Sequence, residues 1–198
     1  MDFNNRVKAT ITEGLVKALF KDAGYSIAPL GIEETIREIQ TLKPLEYNAK
    51  GLSQTLRSLP DFFVALPNFE KNYLVEVKYR ARWNASTKQL LKEDILSQVR
   101  QWHPLYLVLF LGEKARPNDT PASYLGVLRL EYKDGILGFR EMETDSESFR
   151  PWEELDWDCF KRLHDVFTQI NTRYEANTIT KAVALVKSMK SILIDKKE

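Results

Sequence analysis

Leu59-Pro60-Asp61-Phe62-Phe63-Val64-Ala65-Leu66 and Tyr73-Leu74-Val75-Glu76-Val77-Lys78-Tyr79 are the two stretches whose reading decides the fold. Each is a short apolar run rich in β-branched and aromatic residues, and Pro67-Asn68 opens a turn between them, so both read as strands. Residues two apart on a strand share a face. Glu76 and Lys78 therefore point together, while Val75 and Val77 point the other way. Paired as a hairpin, the strands bring Asp61, at the start of one, to Glu76 and Lys78, at the end of the other. Two carboxylates and an ammonium meeting there could hold a hard divalent cation and steer a water molecule.

Working outward, Val7, Ile11, Leu15, Ala18 and Leu19 recur at helical spacing and predict a helix over residues 4–23, with Gly24 as its stop. Tyr25-Ser26-Ile27-Ala28 reads as a short strand. Between Gly31 and Ser58 the pattern is weaker, with Ile32, Ile36 and Ile39 suiting a helical turn or two. Asn84 or Ser86 caps a second helix running to about Gln101, whose inner side would carry Leu90, Leu91, Ile95 and Val99. Leu105 to Leu111 is continuously apolar, as expected of a strand buried on both faces. Residues 123–130 and 136–140 form a hairpin turning at Lys133-Asp134-Gly135, and residues 156–170 and 178–194 read as helices. This order predicts an α/β fold: one domain over residues 1–198, with a mixed sheet flanked by helices in a core of about 4–142. A C-terminal helical extension over about 150–198 completes it.

Composition narrows the function classes. The 198-residue chain is 43% hydrophobic and 29% charged, with a net charge of +1, which argues against a protein that coats nucleic acid non-specifically. Cys159 is the single cysteine, so neither a disulfide nor a cysteine-based zinc site is expected. His103 and His164 are the only histidines, and no Gly-rich phosphate loop or Gly-x-Ser-x-Gly elbow is present. No apolar run reaches the ~18 residues of a membrane span, and the N-terminus lacks a signal-peptide pattern, which suits a cytoplasmic setting.

A Glu-x-Lys triplet alone says little. Glu131-Tyr132-Lys133 is another, read as a solvated pair beside the hairpin turn, and Asp195-Lys196-Lys197 lies at a charged chain end. What distinguishes Glu76-Val77-Lys78 is the Pro60-Asp61 strand before it and the helix and buried strand after it.

On those residues, over about 6–111, the sequence resembles the PD-(D/E)XK nuclease superfamily with its restriction-endonuclease-like fold. The resemblance implies that Asp61 and Glu76 ligate Mg²⁺ or Mn²⁺ with the backbone carbonyl of Val77. It also implies that Lys78 positions or deprotonates the attacking water, and that DNA is cut to leave 5′-phosphate and 3′-hydroxyl ends. The family's first helix often supplies a further acid. Glu13 matches that position, with Glu33 and Glu34 as rivals. Gln98 and Trp102, four apart on the next helix, resemble the Gln-x-x-x-Tyr element of the exonuclease branch, with Trp in place of Tyr.

Arg80, Arg82 and Lys88, interleaved with Tyr79 and Trp83 directly after the Glu76 strand, suit phosphate contact and base stacking. The C-terminal helices, with Lys181, Lys187, Lys190, Lys196 and Lys197 and a stripe of Ile179, Val183, Val186, Met189 and Leu193, are candidates for DNA binding or a homodimer interface. Trp152, Trp157, His103 and His164 read as structural. The expected activity is that of a Mg²⁺-dependent endonuclease acting on DNA. The alternative is a catalytically inactive nuclease-fold domain that binds nucleic acid or serves as a scaffold.

Overall fold

The structure is a computed structural model that describes residues 3–31, 51–141, 148–170 and 178–192. Helix α1 (Phe3–Asp22) leads through Gly24 into β1 (Ser26–Pro29), and a short α2 (Gln54–Arg57) precedes β2 (Phe62–Ala65) and β3 (Asn72–Arg80). Then follow α3 (Ala85–Gln101), β4 (Leu105–Leu111), β5 (Leu125–Lys133), β6 (Ile136–Glu141), β7 (Ser148–Pro151), α4 (Leu163–Val166) and α5 (Thr180–Ile192). Asn84 is the N-cap of α3, its side chain accepting from Thr87 N–H at 2.8 Å.

The seven strands form one mixed sheet in chain order. Every neighbouring pair is antiparallel except β3 and β4, which run parallel because α3 carries the chain back between them. Asp134 and Gly135, at φ +53 and +82, make the tight β5–β6 turn, the positive-φ pair that a two-residue hairpin requires. No helix among the described residues is long and apolar enough to cross a membrane.

Side-chain alternation builds a core on each face. Val75, Val77, Val108 and Phe110 pack with Val16, Leu19 and Phe20 of α1 and with Val183 and Val186 of α5. Leu105, Leu107, Leu109 and Leu111 pack on the other face under Leu91, Ile95 and Val99 of α3. β4 is thus buried on both sides, as its continuous apolar run requires.

Four expectations are corrected. The buried line of α1 is Thr12, Val16, Leu19 and Phe20, while Ile11 is 38% exposed and Ala18 faces solvent. On α3, Leu90 is 54% exposed and Gln98 takes the inner position. Glu131 is not a solvated partner of Lys133. It is buried in β5 and paired with Arg129 and Arg140 at 3.0 and 2.8 Å.

The C-terminal part is only partly the expected helical extension: α5 falls within residues 178–194 as read, but residues 156–170 do not form one helix. β7 adds a strand, and residues 156–170 form a 3-10 turn (Trp157–Cys159) and α4 rather than one helix. Lys161 exchanges backbone hydrogen bonds with Val127, which pins the chain to the sheet and interrupts any helix there. Phe160 stacks on Trp157 and presses against Gly126, where a Cβ would meet Phe160 Cβ at 2.7 Å. Trp152 and Trp157 are buried in the α3-side core, so the segment completes the domain. Lys187 of α5 is held at home by Asp119 at 3.0 Å and by the Tyr124 ring. Glu33, Glu34, Ile32, Ile36, Ile39, Leu193, Lys196 and Lys197 lie outside the described residues.

Candidate active site

β2 is four residues long and β3 nine, and Phe62 pairs with Val75, so the C-terminal half of β3 runs on past the end of β2. In this register the next ladder pair would join Pro60 to Val77. Proline has no N–H to give, so the ladder stops there. Asp61 bends out of line, and its Oδ2 accepts the Val77 N–H at 2.7 Å, taking the place of a strand acceptor. A residue in an antiparallel ladder presents its N–H and C=O to the same neighbour. The Val77 carbonyl therefore projects from the same open edge as its N–H, and Pro60 cannot satisfy it.

Asp61 stands opposite Glu76 in the same register, at the kind of position where side chains lie closest. Glu76 is 1% exposed. Its Oε2 accepts the Asp61 N–H at 3.2 Å, and its Oε1 is paired with the Lys78 ammonium. The three residues singled out in the sequence thus meet at one place, on the open edge of β3.

Electrostatics set these groups apart from surface charges. Burial pushes the Asp61 carboxyl well above the usual carboxylate range, and the Glu76 and Glu13 charges push the same way. Lys78 and the Val77 N–H oppose them. Burial works against the Lys78 charge, but the Glu76 and Asp61 carboxylates beside it prevail and hold its pKa above the ordinary lysine value. Glu13, half-buried on α1 one turn before Val16, therefore belongs to the same electrostatic neighbourhood. Gln98 is also close by. Its Nε2 reaches the Leu59 carbonyl at 3.4 Å, and its buried Oε1 has no hydrogen-bond partner among the described residues. Trp102 caps α3 and its buried Nε1 likewise lacks one.

The three cations after the strand divide. Arg80 is paired with Asp94 and donates to the Tyr79 carbonyl at 2.8 Å, and Lys88 donates to the Glu153 carbonyl at 2.5 Å. Arg82 is exposed. Two features escaped the sequence reading. Lys8 of α1 lies 5.6 Å from the centre of the Tyr79 ring, adding a cation near the site from a distant segment. Pro60 reads in the sequence only as part of the segment that opens the strand; extending the register to residue 60 adds that it stops the ladder ahead of β2.

A metal can be tested against this donor set. Among the described residues no three His, Cys, Asp or Glu side chains gather as a complete ligand group. The donors are all hard oxygens: two carboxylates and the Val77 carbonyl. Mg²⁺ suits such a partial set, because it keeps several waters and takes only one or two carboxylates from a protein. Asp61 Oδ1 carries no hydrogen bond among the described residues, and a dication would relieve the repulsion between the acids. The residues fit. No family model matches the chain, and neither do any curated protein or solved structure.

Proposed function

We propose that this protein is a metal-dependent deoxyribonuclease, an endonuclease that hydrolyses DNA phosphodiester bonds with Mg²⁺ or Mn²⁺. The observation that carries the reading is the convergence of Asp61, buried Glu76 and Lys78 on a strand edge left open by Pro60. Asp61, Glu76 and the Val77 carbonyl would hold the cation. When bound, it lowers the pKa of a water and shields charge building on the phosphate.

The chain's own groups do the rest. The Val77 N–H fixes the orientation of the Asp61 carboxylate, and the Asp61 N–H fixes that of Glu76. In the absence of metal the two acids beside Lys78 favour its protonated form. In that form Lys78 acts through its positive charge and as a hydrogen-bond donor next to the attacked phosphate. Gln98 offers an acceptor with no partner among the described residues, and exposed Arg82 a contact for the DNA backbone.

The test is cleavage of single-stranded, duplex and branched DNA with Mg²⁺ or Mn²⁺. Activity is expected in the wild type and lost in Asp61→Ala and Lys78→Ala, with circular dichroism unchanged. Wild-type cleavage by both variants would refute the assignment. No uptake of either cation by calorimetry would leave the scaffold reading in its place.

A further inference from the structure

On the flank of α3 turned away from Asp61 lies a cavity of about 400 Å³, within the range of small-molecule sites. Lys92, Leu96 and Arg100 follow at four-residue intervals and form one stripe of the helix. Gln98, which faces the Asp61 side, is on the opposite flank. The β5–β6 hairpin contributes Tyr132 and Leu137 to the lining, β7 contributes Pro151, and Glu153 reaches the α3 side at Lys92.

The chemistry of the lining is divided. Leu96, Leu137 and Pro151, with Ile136, supply its apolar part. At one end the Arg100 guanidinium lies over the Tyr132 ring, 5.1 Å from its centre, so the pair presents a flat, cationic platform. At the other end is the Lys92 ammonium, two helical turns or roughly 12 Å away along the axis. Planar rings stack on tyrosine and guanidinium faces, and a lysine ammonium is a point charge suited to phosphate. Inorganic phosphate would leave the platform and the apolar lining unused, and a neutral ring would leave Lys92 unused. We propose that this cavity binds a nucleotide, either free as a nucleoside monophosphate or as the terminal nucleotide of a strand. The shared chemistry is a flat base joined to a phosphate.

Glu153 has a defined part in this. Its Oε1 takes up Lys92 at 2.6 Å, while its carbonyl is held by Lys88. The carboxylate is 63% exposed, and exposed pairs of this kind are weak, so an incoming phosphate can displace it. Glu153 is a built-in competitor for the phosphate position.

Titration calorimetry on the full chain in EDTA tests the proposal without any cleavage, so its outcome is separate from that of the nuclease reading. The probes are AMP, adenosine, inorganic phosphate and a short 5′-phosphorylated oligodeoxynucleotide. AMP or the oligonucleotide should bind more tightly than adenosine or phosphate. Uptake of AMP identifies the free nucleotide as sufficient, and uptake of the oligonucleotide alone identifies a strand end. Lys92→Ala and Arg100→Ala should each weaken binding about tenfold. Glu153→Gln should tighten it several-fold, a gain that misfolding cannot produce. Absence of binding by both AMP and the oligonucleotide, or binding indifferent to Arg100→Ala and Glu153→Gln, overturns the proposal.

Discussion

Lys78→Met separates the structural burden of the site from its chemistry. Glu76 is 1% exposed and Lys78 26%. Methionine keeps an unbranched stem but brings no charge to the carboxylate, so among the described residues Glu76 is left with the hydrogen bond from the Asp61 N–H at 3.2 Å. Removing one partner of a fully buried pair costs ~3–5 kcal/mol. Water reaching the quarter-exposed lysine screens part of this, which brings the expected loss to about 2–3 kcal/mol. In a chain of this size each kcal/mol moves the melting point by ~2–4 °C, so Tm should fall by roughly 4–12 °C.

The assay is thermal unfolding by circular dichroism in EDTA, with Glu76→Gln and the Glu76→Gln/Lys78→Met double variant completing a cycle. The double variant should recover most of the loss, because the buried Glu76 charge that Lys78 compensated is gone as well. Adding Mg²⁺ should narrow the deficit of Lys78→Met and leave the double variant unmoved. A Lys78→Met protein that melts with the wild type, or a double variant no more stable than Lys78→Met, would refute the reasoning.

Other expectations follow from the same contacts. A native Asp61 pKa raised above the ordinary 3.8 means that ionisation costs stability as pH rises from that value to the native one, and the full cost remains above it. In EDTA, Asp61→Asn should therefore melt higher than wild type at neutral pH, with the gain gone below pH 3.8; a variant less stable at pH 7 than at acid pH, relative to wild type, would contradict this. Glu131→Gln weakens the contacts to Arg129 and Arg140 and should cost about 1–3 kcal/mol in urea unfolding, with DNA cleavage at the wild-type rate; loss of cleavage would point to the other Glu-x-Lys. Asn84→Ala removes the cap on Thr87 N–H and should cost about 1 kcal/mol, read by the same unfolding.

Elements with a strong local signal were legible from the residues alone. β4 announced itself by an unbroken apolar run and the β5–β6 turn by Asp134-Gly135. α3 did so by Asn84 and a period of three to four. The convergence of Asp61, Glu76 and Lys78 was legible too, since strand alternation and one hairpin suffice to bring them together. What failed was decided by distant contacts. The inner face of α1 turned out to include Thr12, which hides its hydroxyl by donating to the Lys8 carbonyl at 2.7 Å, a saving that hydrophobic periodicity does not register. Residues 156–170 have helical spacing, yet the bridge from Lys161 to Val127 on β5 holds them in another shape. Glu131 looked solvated because its arginines lie two residues away and on the next strand.

Pro60 changes what the two letters before the strand mean. The acids supply charge, but the address of the site is written by a residue with nothing to donate. A transplant of Glu76-Val77-Lys78 into another hairpin would carry the charges and still lack a strand edge where the neighbouring ladder stops. Glu131-Tyr132-Lys133 illustrates this inside the same molecule: Glu131 sits in ladder register with Gly138, so its strand offers no comparable gap. The informative pattern is a short strand ended by proline opposite a longer one that continues, and it can be searched for by strand length and register even where the acidic letters have drifted.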